Sequence, residues 1–232
     1  MKKRLMSVAS LLLVLPLGIA PISASETESG EKKIIEEKID ETVNQALNDA
    51  NVTELSELTN QQEIDLVAKV NEIKSNHSSY YTKDVKVTPR ASSPYYGDVL
   101  ATLDEKTFGI PHGHAGIGYY DANTVIEANP GDGVKKYSNR ITGYWRNCSS
   151  GGIYGVSGAS SGNYSTATNY AYDRIGRGYG FDPIAGDFYC SELVYYAWGA
   201  AGYDIDYNRA WGTPILPSHL MLDGDTYLKQ SF

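Results

Sequence analysis

His114-Ala115-Gly116-Ile117-Gly118-Tyr119-Tyr120-Asp121-Ala122-Asn123-Thr124-Val125-Ile126-Glu127-Ala128 reads as two short strands around a tight turn. Ile117, Tyr119, Val125 and Ile126 suit extended arms, and Asp121-Ala122-Asn123 supplies the turn between them. Asp98–Leu103 reads as a strand before this pair, and Val134–Tyr137 as another after it. Short strands joined by tight turns predict an antiparallel sheet. Thr166–Ile175 and the segment that begins at Cys190 read as helices. The expected class is therefore α+β, with helices packed against a small antiparallel sheet or partial barrel.

Outward from this stretch, residues 92–232 read as the main domain, about 140 residues and long enough for one sizeable core. Gly151–Gly162, rich in Gly and Ser, reads as a long loop, and Tyr203–Pro217 as largely irregular. Residues 25–74 read as a helical forepart. Ile35, Ile39, Val43, Ala46 and Leu47 recur at helical spacing, as do Leu55, Leu58, Ile64, Val67, Val70 and Ile73 further on, with Asn48–Asn51 as the interruption. Two such helices could form a hairpin, pack on the main domain or self-associate with another copy. Residues 75–91 read as a linker, either a spacer or the tail of a propeptide.

Residues 1–24 carry a secretory signal pattern: a basic start, Lys2–Arg4, then an apolar stretch, Leu5–Ile22, broken by Pro16, Gly18 and Pro21. Cleavage after Ala24 or Ser25 fits equally. An acidic segment comes next, which argues against a transmembrane anchor, and no cysteine lies near for lipid attachment. The expectation is a secreted protein, associated with the cell wall. The chain carries a formal charge of −8, and removing the three basic residues of 1–24 leaves −11. That balance gives no bulk attraction for nucleic acid or an anionic membrane.

Cys190 stands at the expected first turn of a helix whose apolar stripe is Leu193, Val194, Ala197 and Ala201. A helix N-terminus, with unpaired N–H donors and a positive dipole end, favours thiolate over thiol. Cys190 is thus a candidate nucleophile. The plain alternatives are a packing cysteine or half of a disulfide with Cys148, the one other cysteine. A thiol nucleophile needs a base. Of four histidines, His77 sits in the forepart, His219 near the terminus and His112 in a loop, whereas His114 opens a strand and offers a rigid platform. Glu127 on the next strand could hold one imidazole nitrogen and turn the other toward sulfur, or be a solvated strand residue. Tyr189 could support the developing oxyanion beside the N–H of Cys190, or simply pack there. Ser191 and Glu192 suit the first helical turn. Most of the nineteen tyrosines read as architecture. No metal or cofactor is invoked: His112-Gly113-His114 lacks further ligands, and Gly131-Asp132-Gly133 is too brief for a calcium loop.

Four segments in order, Gly97-Asp98-Val99-Leu100, His114-Ala115-Gly116-Ile117, Val125-Ile126-Glu127-Ala128 and Tyr189-Cys190-Ser191-Glu192-Leu193-Val194, resemble the circularly permuted NlpC/P60 proteins of the papain-like superfamily. Ile215-Leu216-Pro217-Ser218-His219-Leu220 is similar to the closing segment of that family. The resemblance covers most of 94–222 and not the forepart. It implies a permuted papain-like fold, with Cys190 as nucleophile, His114 as base and acid, and Glu127 as the residue that orients it. It further implies a cysteine amidase or peptidase, with cell-wall peptidoglycan peptides as the first substrate class. A lipid-acyl amidase or thioesterase acting on acyl-amide substrates, and a non-catalytic wall-associated binding or structural module, stand as alternatives.

Overall fold

The computed structural model describes residues 24–82, 95–104, 113–181, 186–207 and 213–232. The signal segment up to residue 23, linker residues 83–91 and His112 lie outside the described residues. In chain order, α1 (Ala24–Ala50), α2 (Asn60–Asn76) and α3 (Ser78–Thr82) precede the first strands. These are β1 (Val99–Thr102), β2 (His114–Gly118), β3 (Val125–Asn129) and β4 (Gly133–Tyr137). Next come α4 (Arg140–Gly143), a 3₁₀ turn at Trp145–Asn147, β5 (Gly152–Val156), α5 (Ser161–Tyr172), α6 (Cys190–Ala200), α7 (Pro217–Leu222) and β6 (Thr226–Ser231). The six strands form one antiparallel sheet in the order β4-β3-β2-β1-β5-β6. The α+β expectation holds in that form: an antiparallel sheet packed against helices.

Alternation along the strands divides the side chains between two faces. Val99, Ala101, Ala115, Ile117, Ile126, Ala128, Tyr154 and Val156 join the main core with α6 residues Leu193, Val194, Ala197 and Trp198. The opposite face carries Leu100, Val125 and Ile153, covered by Ile141, Trp145 and Cys148 from the segment after β4. Each buried aliphatic side chain contributes roughly 1.5–3 kcal/mol by leaving water, so both layers are well supported.

The forepart shares this core. Ile35, Ile39 and Val43 of α1 and Leu66, Val67 and Val70 of α2 are buried in the same cluster as the sheet. Asn51, with φ 55°, ends the first helix where an interruption was expected. Thr59 caps α2 through a reciprocal pair: its hydroxyl accepts from Gln62 N–H while its own N–H donates to Gln62 Oε1 at 2.9 Å. Polar ties fasten α2 to α7 and to the turn between α7 and β6. Buried Lys74 donates to the carbonyls of Met221 (2.8 Å) and Asp223 (2.6 Å) at the end of α7, the second of which also accepts from Thr226, and Ser218 donates to buried Glu63 at 2.7 Å.

Three expectations need correction. Gly151–Gly162 is not a long loop: it contains β5, and Ser160 caps α5 well before the expected start at Thr166. Gly151, Gly152 and Gly155 are there for contact: a Cβ at Gly155 would lie 2.6 Å from the Tyr227 ring on the neighbouring strand. The expected linker begins later, because α2 runs to Asn76 and α3 takes Ser78–Thr82. The irregular reading of Tyr203–Pro217 holds for 203–207 and 213–216, whereas α7 and β6 went unanticipated.

Candidate active site

His114 is the first residue of β2, and the chain enters it through Gly113. Gly113 has φ +102°, and a Cβ there would lie 1.8 Å from the Thr102 carbonyl oxygen on β1. Only glycine permits this close approach, which fixes where the strand begins and hence where the imidazole stands. The pairing of Ile117 with Ile126 and Gly118 with Val125 sets β3 beside β2. Carried back along the strands, that register puts Glu127 diagonally across from His114 on the same face. Glu127 Oε2 lies 3.0 Å from His114 Nε2, with both side chains buried.

Cys190 comes from the other layer. It is the first residue of α6, with Tyr189 as the extended N-cap residue. Because His114 sits at the end of its strand, the first turn of the helix reaches the ring there, and the Cys190 side chain is its second hydrogen-bond partner. Nε2 being taken by Glu127, Nδ1 is the nitrogen left for sulfur. The structure thus brings Cys190, His114 and Glu127 together. Cys148 and Cys190 are both free thiols. Cys148 lies against the Tyr144 carbonyl at 3.7 Å, and burial pushes its thiol up to about 11.

The two buried charges support each other. Burial opposes protonation of His114, yet its interactions with Cys190 and Glu127, the Glu127 charge among them, raise the imidazole to about 9. Burial would raise the Glu127 carboxyl, but His114 and Arg140 outweigh it and hold it down at about 2. An imidazolium paired with the Glu127 carboxylate results.

Three residues around this pair were not anticipated. Arg140, opening α4, donates to Glu127 from Nε (2.9 Å to Oε1) and from Nη2 (2.8 Å to Oε2). Trp145 Nε1 donates to Glu127 Oε1 at 2.9 Å, and its ring lies parallel to that of His114, 5.4 Å away at 12°. Asn129 Nδ2 donates to Oε2 at 3.2 Å. Asn129 follows Glu127 by two positions on one strand, so its presence on that face was readable from the period. No such signal marks Arg140 or Trp145.

Tyr189 packs beside Cys190. Its hydroxyl accepts the Ile215 N–H at 2.7 Å, and its ring meets that of Phe181 at 4.9 Å. Ser191 does not serve the helix start: its hydroxyl donates to the Ile215 carbonyl at 2.6 Å. Together they clamp residue 215 over the start of α6. Glu192 is in the first turn, as expected. His77 stays within the forepart, near Lys38 and Glu31. His219 Nδ1 pairs with Asp206 Oδ1 at 3.0 Å, both buried.

No family model, no curated protein and no solved structure matches this chain.

Proposed function

We propose that this protein is a secreted cysteine hydrolase of amide bonds, built on a circularly permuted NlpC/P60-like fold and acting on cell-wall peptides. One observation carries the reading: a single buried imidazole bridges a thiol at a helix start and a carboxylate on the adjoining strand. The order His114, Glu127, Cys190 is that of the permuted branch, and the basic-apolar start of the chain supports export.

The chemistry follows from these positions. Cys190 sulfur attacks the amide carbonyl carbon, a C–S bond forms, and the carbonyl electron pair moves to oxygen. The Cys190 N–H, at a position with no intrahelical acceptor, can donate to that oxygen. When the pair returns, the C–N bond breaks and His114 hands its proton to the departing amine. His114 then takes a proton from water, which attacks the thioester carbon, and sulfur leaves as thiolate. Glu127 holds the ring through Nε2 in both half-reactions, keeping Nδ1 toward sulfur and water. Tyr189 supports the nucleophile indirectly by tying its helix start to Ile215.

The test combines substrates and variants. Mature protein is incubated with peptidoglycan peptides, lipid acyl amides and acyl thioesters, and products and Cys190 adducts are read by mass spectrometry. Cys190→Ala and His114→Ala should each lower turnover of the peptide amide by about 10³-fold or more, and Glu127→Gln by about 10²-fold. Turnover confined to lipid acyl substrates would reassign the substrate class. Turnover indifferent to Cys190 and His114, or no turnover and no adduct with any substrate, would sink the hydrolase reading.

A further inference from the structure

Glu127 is held by more donors than an orienting carboxylate needs. A carboxylate offers about four lone-pair sites, and here His114, Asn129, Trp145 and three Arg140 contacts compete for them. Arg140 is the one full cation among these besides the imidazolium. Its guanidinium is itself steadied, lying over the Tyr144 ring at 3.8 Å and near the Tyr137 ring at 5.2 Å. Lys135, directly opposite Glu127 on β4, turns instead to Asp132 at 2.5 Å.

We propose that Arg140 is a positioning residue for the thiol chemistry, its fork fixing the Glu127 carboxylate in the orientation that meets His114 and offsetting part of that carboxylate's charge at the ring. This rests on the hydrolase reading and deepens it by naming what tunes the base. A bidentate guanidinium cannot swivel as an ammonium can, so the carboxylate plane is set by Arg140 and Trp145 together. With Oε2 fixed, the imidazole turns neither about its strand nor out of the Trp145 stack. The charge matters separately. Facing His114 are Cys190 from α6 and Glu127 from β3, with Arg140 behind Glu127 and the Tyr144 and Trp145 rings over it. Tyr137, Tyr144 and Cys148 are the other titratable groups about Arg140. Removing the guanidinium leaves a more negative neighbourhood, which hinders thiolate formation at the acid side and retains the imidazolium longer at the alkaline side.

The measurement is the rate of Cys190 alkylation by iodoacetamide across pH, followed by peptide mass spectrometry so that Cys148 is read separately. Arg140→Met should move both limbs of the Cys190 profile upward, by about half to one pH unit. Arg140→Lys keeps the charge without the fork, so its limbs should stay in place while its plateau rate falls several-fold. Limbs of folded Arg140→Met that superimpose on wild type, or move down, overturn the proposal. Should Arg140→Met fail to fold, an Arg140→Lys profile identical to wild type in limbs and plateau overturns it, and a plateau several-fold lower supports it. His114→Ala separates the two levels. A profile insensitive to His114 removes the hydrolase reading itself; a profile sensitive to His114 but not to Arg140 removes this inference alone.

Discussion

Gly113 shows how much of the site depends on a residue without a side chain. A methyl group there must displace the Thr102 carbonyl, and φ +102° is a conformation that other residues adopt at a cost. Gly113→Ala should therefore lose about 2–4 kcal/mol of stability in urea unfolding and lower any turnover about tenfold or more by shifting His114. Gly131→Ala is the control. Gly131 also has positive φ, +79°, but nothing within 4 Å of a Cβ, so its cost should be only about 1 kcal/mol with activity kept. Equal losses in the two variants would show that backbone strain, and not the contact with β1, governs Gly113. His114 and Glu127 could be read from the chain because they sit on two strands joined by a short turn, where register follows from local pattern. Arg140 and Trp145 could not, since α4 is four residues long and starts after Asn139, whose φ of 56° no periodicity announces.

At the level of elements, α2 and α7 depend on a single buried ammonium. Lys74 satisfies the Met221 and Asp223 carbonyls and approaches the Thr226 hydroxyl at 3.3 Å. Lys74→Met would take the ammonium from the Met221 carbonyl and leave the Asp223 carbonyl to Thr226 alone, at a cost of about 2–4 kcal/mol by urea unfolding at neutral pH. A loss under about 1 kcal/mol would mean that water or a shift of α7 replaces the ammonium. The helical stripes of the forepart were legible because Ile35, Ile39 and Val43 follow one face, yet their destination was not. Spacing tells which side of a helix is buried and says nothing about the partner. β5 and β6 were hidden for opposite reasons. Gly152 and Gly155 make β5 look like a loop, whereas Thr226–Ser231 is a half-exposed edge strand that ends in three consecutive polar residues, Lys229-Gln230-Ser231, and so shows no alternation to read.

Across the whole molecule, pH should act on stability through three groups, two of which oppose each other above pH 6.5. The His114 imidazole, raised above its ordinary 6.5, adds stability that is complete below 6.5 and fades as pH climbs through about 9. Burial lowers Lys74 from 10.5 to about 7, so the unfolded chain binds a proton the folded one gives up, and that contribution grows as pH rises from about 7 to 10.5. Glu127, depressed from 4.5 to about 2, adds stability above 4.5 that is lost as pH falls through about 2. Unfolding free energies at pH 6.5 and 9 should therefore fall more steeply with pH in Lys74→Met than in wild type, and less steeply in His114→Asn. Parallel profiles for all three proteins would mean that neither group is perturbed as described. Chain order adds a matter of timing. During synthesis His114 and Glu127 emerge in β2 and β3, while Cys190 waits for α6 and for the clamp at Ile215 beyond it. A nascent chain on the ribosome thus carries the His114 imidazole and its carboxylate partner before it carries the Cys190 thiol.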